Sequence, residues 1–198
     1  MNKVYCCFPG GKHKALTMSY DDGRTQDRRL VEIFNRWGIR STFHLNSGFL
    51  GDDRHIQPDE VRTLYAGHEV ACHTVTHPTI TRCPLPSVAR EVLDDRQALE
   101  ALTGYPVRGL SYPNGSVSDG IEALLPACGI RYSRVVGNSD GFALPENPYR
   151  WQATWPAAAR WRPGPRRAPA IRPAPTPVPA GRRSAFPPQR SAPAFEAP

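Results

Sequence analysis

The chain is 198 residues long, with 39% apolar residues, 22 prolines and a formal net charge of +7. That length allows one domain with at most an appendage, and no run approaches the roughly 18 apolar residues of a membrane span. The charge is unevenly placed: residues 155–198 hold eight of the 25 basic residues, 12 of the 22 prolines and one acid, Glu196. Residues 1–154 are neutral overall, with 17 basic and 17 acidic residues. The basic pI is therefore no nucleic-acid footprint of the folded part.

In chain order, Ala15 to Tyr20 predicts a short buried strand ending at Asp21-Asp22-Gly23. Residues 26–37 put Leu30, Ile33, Phe34 and Trp37 on one helical face, Trp37 as a core residue, with Asp27 as a cap and Gly38 as the stop. Ile39 to Leu45 predicts a second strand. Pro58 to Ala66 predicts a helix, with proline in its first turn and Gly67 at its end. A third strand spans His68 to Cys72, and a long amphipathic helix spans Leu85 to Leu102, with Val88, Val92, Leu99 and Leu102 facing the core. A fourth strand, Val107 to Ser111, leads into Tyr112-Pro113-Asn114-Gly115. A helix from Asp119, its cap, to Cys128 and a fifth strand from Ile130 to Ser133 complete the pattern.

Strands alternating with helices at this spacing imply a parallel α/β sheet or barrel. The chemically interesting residues all fall just after strands, where sites gather in such folds. Asp21 and Asp22 are adjacent carboxylates on a turn, and His73 and His77 are imidazoles four residues apart. One carboxylate and two imidazoles can hold a divalent ion with positions left open, and the second carboxylate can take a proton from a water. Each motif alone is weak, since Asp-Asp-Gly is a common turn and an i, i+4 histidine pair arises by chance. Their shared position at strand ends is the stronger signal.

The other polar candidates read as structural. His44 suits a satisfied buried or rim position, Cys72 packing, and His13 and His55 the surface. The five cysteines, Cys6, Cys7, Cys72, Cys83 and Cys128, include no CxxC pair, which argues against a disulfide framework and a cysteine zinc cluster. The first residues lack the apolar region of a secretory leader, so the default compartment is the cytoplasm.

At these residues the chain resembles the polysaccharide deacetylases, the NodB-homology or carbohydrate esterase family 4 group. Ser19-Tyr20-Asp21-Asp22-Gly23 is similar to that family's T-F-D-D-G, and His73-Thr74-Val75-Thr76-His77 matches its H-[ST]-x-x-H. Ser41-Thr42-Phe43-His44-Leu45 resembles its second strand, and the resemblance covers roughly residues 13–154. It implies a distorted or incomplete (β/α) barrel that hydrolyses N-acetyl, or sometimes O-acetyl, groups of a glycan or a small N-acetylated substrate. It also implies Asp21 as general base and Asp22, His73 and His77 as ligands of a divalent metal, zinc by preference, with Co2+, Ni2+ or Mn2+ as alternatives. Tyr112 and Asn114 would contact substrate, the Asn114 backbone N–H holding the oxyanion. Two departures follow. Ser111 stands where the family carries the arginine that orients the base, and no histidine follows His77 to act as the later general acid. A catalytically impaired remnant that keeps metal or carbohydrate binding is the alternative.

The expected domain organisation is a deacetylase-like domain over residues 1–154 and a disordered Pro/Arg/Ala-rich tail over 155–198. Proline every few residues forbids helix or sheet there. Three lysines against 22 arginines suggest a GC-rich coding sequence, and the tail reads as a frameshifted or otherwise aberrant terminus. A basic arm for an anionic polymer is the competing reading.

Overall fold

The computed structural model describes residues 7–155. The tail expected from residue 155 onward lies, apart from Trp155, outside the described residues. Six strands form one sheet in the order β1-β2-β3-β4-β5-β6. They are β1 (Met18–Asp21), β2 (Ser41–Leu45), β3 (Glu69–Cys72), β4 (Gly109–Ser111), β5 (Tyr132–Asn138) and β6 (Trp151–Ala153). Every pairing is parallel. The order runs without reversal, as in a (β/α) barrel, where a doubly wound sheet would switch direction. The sheet curls into a half-barrel with the helices packed on it, as expected.

The curl is visible in one contact. In a flat sheet, β1 and β5 would lie about 19 Å apart, four spacings of about 4.8 Å. Yet Arg134 Nε on β5 donates to Ser19 Oγ on β1 at 2.9 Å. A single arginine side chain spans the gap only because the strands wrap toward each other.

Four helices connect the strands: α1 (Asp27–Trp37), α2 (Val61–Leu64), α3 (Leu85–Thr103) and α4 (Asp119–Leu124). The core is their shared interface with the sheet: Phe43, Leu45, Val70 and Leu110 from strands, and Val61, Val88, Val92, Leu99 and Ile121 from helices, all at most 2% exposed. Burying a side chain of this size contributes about 1.5–3 kcal/mol. Cys72 is part of this core, as expected of a packing residue.

Several local expectations need correction. Trp37 is 73% exposed and Ile33 is at the surface. The buried stripe of α1 is Asp27, Val31 and Phe34. Steps of four and three residues continue that stripe to position 38, where Gly38 ends the helix, and leave Trp37 on its shoulder. Asp27 is no cap: its carboxylate is buried and accepts the Tyr65 hydroxyl at 2.7 Å. Ser118, rather than Asp119, caps α4, its Oγ accepting the Ile121 N–H. The predicted helix at 58–66 is a 3-10 turn, Pro58–Glu60, followed by the single turn of α2. β5 is longer than expected, and β6 is an addition to the expected strands.

His55 is not a surface residue. It is 5% exposed, with Nδ1 2.6 Å from Asp52 Oδ1 and its ring centroid 5.3 Å from that of Phe49. The loop carrying it folds back on the Asp-Asp-Gly turn, where Ile56 N–H donates to Gly23 O at 2.9 Å.

Candidate active site

Three loops, after β1, β3 and β4, bring the chemistry to the carboxyl ends of the strands. The first is a tight reversal in which Asp22 and Gly23 take φ of 76° and 67°. Two successive left-handed residues need a glycine, and an aspartate tolerates the other position. The reversal sends the neighbouring carboxylates apart. Asp21 turns toward Ser111 and Arg134, while Asp22 turns toward His73 and His77.

The second loop is pinned from several sides. Its start is fixed by Asp95 of α3, whose carboxylate accepts His73 N–H at 3.0 Å and Ser47 N–H at 2.8 Å. Asn46 Nδ2 donates to the carbonyls of His73 and Thr74. Glu91 accepts the Thr76 N–H and hydroxyl at 2.9 and 2.7 Å. Asp95 is fully buried, and burial pushes its carboxyl up to about 6 against the hydrogen bonds that favour its anion.

One carboxylate oxygen of Asp22 and one ring nitrogen each of His73 and His77 lie within 4.8 Å of one another. Asp22 Oδ1 is 3.6 Å from His73 Nε2 and 3.9 Å from His77 Nε2. Ligands about 2.0–2.1 Å from a tetrahedral ion sit about 3.4 Å apart, and the two carboxylate–imidazole distances are within about 0.5 Å of that. The donor set fits a divalent ion in a second respect. His73 Nδ1 is 2.7 Å from the Ser111 carbonyl, which can only accept. Nδ1 therefore carries the proton, and Nε2 presents its lone pair toward Asp22. Arg24 engages the other Asp22 oxygen at 3.3 Å, leaving Oδ1 for the histidine side.

Asp21 flanks the trio, with Oδ2 4.0 Å from His73 Nε2. Burial would raise its pKa, but His44, His73 and Arg134 outweigh that and lower it. At neutral pH the guanidinium carries the permanent charge among these, because burial pushes His44 down to about 3 and also depresses His73. Asp21 is thus an ionised carboxylate beside the three candidate ligands. His44 is buried as expected, with Nδ1 3.4 Å from Asp21 Oδ1, but it is not fully satisfied, since Nε2 has no partner among the described residues.

The third loop departs from expectation at Tyr112. Its side chain is 1% exposed within the hydrophobic core, and its N–H donates to the Arg134 carbonyl at 3.0 Å. The structure therefore gives Tyr112 no group facing the site. Tyr112 directly follows β4, so its side chain alternates with that of Ser111 and the ring packs into the core. Asn114 is exposed, takes φ of 57°, and ties this loop to the second through Nδ2 to Thr79 Oγ1 at 3.1 Å. Among the described residues no backbone carbonyl accepts its N–H. Sequence reading missed Arg134, Asp95 and Glu91. Nothing local singled out Arg134: the expected fifth strand ended at Ser133, and Arg131 is a second charge in the same run.

A parallel half-barrel that gathers two carboxylates and two imidazoles at its strand ends could hold a divalent ion there. Residues 9–133 match the family profile described as polysaccharide deacetylase, and the chain belongs to that family. A chitooligosaccharide deacetylase of Sinorhizobium fredii is 30% identical over 111 residues, 54% of this chain and 50% of that protein. Another chitooligosaccharide deacetylase, from Rhizobium leguminosarum bv. trifolii, is 29% identical over 93 residues, 46% of this chain and 41% of the relative. A polysaccharide deacetylase from Bacillus cereus shares the fold at a TM-score of 0.60 and 16% identity, over 68% of this chain and 45% of that one. The chain thus spans about half the length of the relatives it matches. No helix among the described residues is long and apolar enough to cross a membrane.

Proposed function

We propose that this chain carries the site of a metal-dependent deacetylase acting on an acetylated glycan of the chitooligosaccharide or peptidoglycan kind. The observation behind this reading is the meeting of Asp22 Oδ1, His73 Nε2 and His77 Nε2 beside the ionised Asp21 carboxylate. Asp22, His73 and His77 would hold the ion, with zinc suited to two nitrogens and one oxygen, and Co2+, Ni2+ or Mn2+ as alternatives. Such an ion would act as a Lewis acid on an acetyl carbonyl and make a water more acidic. Asp21 takes the proton of the attacking water, since its free lone pairs face the same space as His73 Nε2. The Asn114 N–H donates to the oxygen that gains negative charge. The Ser111 carbonyl holds His73 in the tautomer that leaves Nε2 bare.

A second reading is a binding-only remnant, favoured by the lack, among the described residues, of an assigned acid for the leaving amine. His44, the histidine against Asp21 that is not a candidate ligand, is driven down to about 3 and stays neutral at working pH. One experiment separates the two. Zinc content and acetate release from an N-acetylglucosamine oligomer are measured for wild type, Asp21→Asn and His77→Ala. The deacetylase reading expects Asp21→Asn to keep zinc and lose acetate release by at least about 100-fold, and His77→Ala to lose both. Zinc without acetate release in wild type selects the remnant. No zinc in wild type sinks both.

A further inference from the structure

Arg134 lies on β5, paired in register with Ser111 on β4. Its guanidinium makes contacts far beyond that neighbour. Its Nη2 donates to both oxygens of Asp21 and, at 2.8 Å, to Ser111 Oγ. Its Nε donates to Ser19 Oγ at 2.9 Å. Ser111 Oγ donates in turn to Asp21 Oδ2 at 3.3 Å. The Arg134 side chain is only 18% exposed, so this charge is mostly removed from water and screened little by salt.

The arrangement does more than neutralise charge. A carboxylate on a four-residue strand can rotate about its last torsion, which is broad. Two donors from different strands, Arg134 from β5 and Ser111 from β4, remove that freedom. Ser19, two residues before Asp21 on the same face of β1, anchors the guanidinium itself. A planar group with several donors can hold three acceptors at once, which a lysine ammonium on a flexible stem does poorly. The same position explains the small residue at Ser111: the space above it is occupied by the guanidinium.

We propose that Arg134 is the positioning residue of Asp21, clamping the carboxylate from β5 so that its free lone pairs face the ligands Asp22, His73 and His77. This rests on the deacetylase reading for its kinetic consequence and on the geometry alone for the clamp. A purely structural role, a tie that closes the half-barrel, is the competing explanation.

The test uses the full chain with zinc and an N-acetylglucosamine oligomer, comparing wild type, Arg134→Ala and Arg134→Lys. Arg134→Ala is expected to lower kcat by about 100-fold, the usual cost of a misplaced group. KM should stay within about threefold and zinc affinity unchanged. Arg134→Lys should recover little, whereas added methylguanidinium should restore a measurable part of the Arg134→Ala rate. Unchanged kcat, or loss of zinc and thermal stability together without rescue, overturns the proposal. A second readout does not need activity: a urea-unfolding cycle of Arg134→Gln, Asp21→Asn and the double variant. The clamp predicts coupling of about tenfold or more in the folding equilibrium, and additive effects overturn it. A wild type that releases no acetate but shows the coupling defeats the proposed function and leaves the clamp standing.

Discussion

Asp27 offers a quantitative test of how charge is arranged beneath the site. Its carboxyl is 3% exposed at the start of α1. Burial pushes it from its ordinary 3.8 up to about 6, helped by the negative charges of Asp22 and Asp21 and opposed by the Tyr65 hydroxyl bond. The folded state therefore binds this proton more tightly than the unfolded chain. The stability it contributes is complete below about pH 4 and is lost as pH rises through about 6. A shift of about two units corresponds to about 3 kcal/mol at pH 8. Asp27→Asn keeps an oxygen for Tyr65 and removes the ionisation. It also gives up a favourable charge at a helix N-terminus, worth about 0.3–1 kcal/mol. The variant should be about 2 kcal/mol more stable than wild type at pH 8, a rise in Tm of about 4–8 °C, and no more stable at pH 4. Thermal melts across that range in EDTA measure it. Zinc should shrink the difference, because a cation beside Asp22 offsets the neighbouring negative charge. A pH-independent difference, or an asparagine variant less stable at pH 8, would refute the reasoning.

Asp95→Ala should weaken zinc binding about 10- to 100-fold, since the carboxylate fixes the backbone of the ligand His73; calorimetric titration checks this. Stripping zinc with a chelator should lower Tm, because zinc at about 100 times its Kd stabilises the fold by about 2.7 kcal/mol. An unchanged melting curve argues against metal at this site. Trp37→Ser should change stability by no more than about 0.5 kcal/mol in urea unfolding, as the ring is mostly in water. A loss of several kcal/mol would restore the core role its helical spacing suggested.

What could be read in the sequence was local. Asp21-Asp22-Gly23 and the His73/His77 pair are short motifs whose spacing states their chemistry, and strand–helix alternation locates them at strand ends. What could not be read depends on closure of the sheet. Arg134 reaches Asp21 over 113 residues of chain, and in the run Ile130 to Val136 it is one of two arginines, so its charge does not mark it. Asp95 resembled any acid on an amphipathic helix until the loops after β2 and β3 were seen to share it. Tyr112 was misjudged because a motif position does not say whether the side chain or the backbone faces the site. His55 was misjudged because a loop without periodicity gives no cue that it folds inward.

The backbone itself argues that the constellation is built rather than accidental. Among the described residues, five non-glycine positions have positive φ: Asp22, Thr74, His77, Asn114 and Asp140. Four of them lie in the three loops at the strand ends. For L-residues this region costs about 1–2 kcal/mol each, less for Asp and Asn, and a β-branched Thr74 there is a marked outlier. Loops free to relax would not hold such conformations. The loop after β3 is held by the Asn46, Asp95 and Glu91 bonds and by the Thr74 hydroxyl, which accepts the His77 N–H at 3.2 Å, and the loop after β4 is tied to it through Asn114 Nδ2 and Thr79 Oγ1. Two of the strained residues, Asp22 and His77, are themselves candidate ligands, and Thr74 follows the third. Strain concentrated on such residues and held by buried polar partners is the pattern of a preorganised site. A common turn and a chance histidine pair would give no reason for α3 to spend a buried carboxylate on holding them.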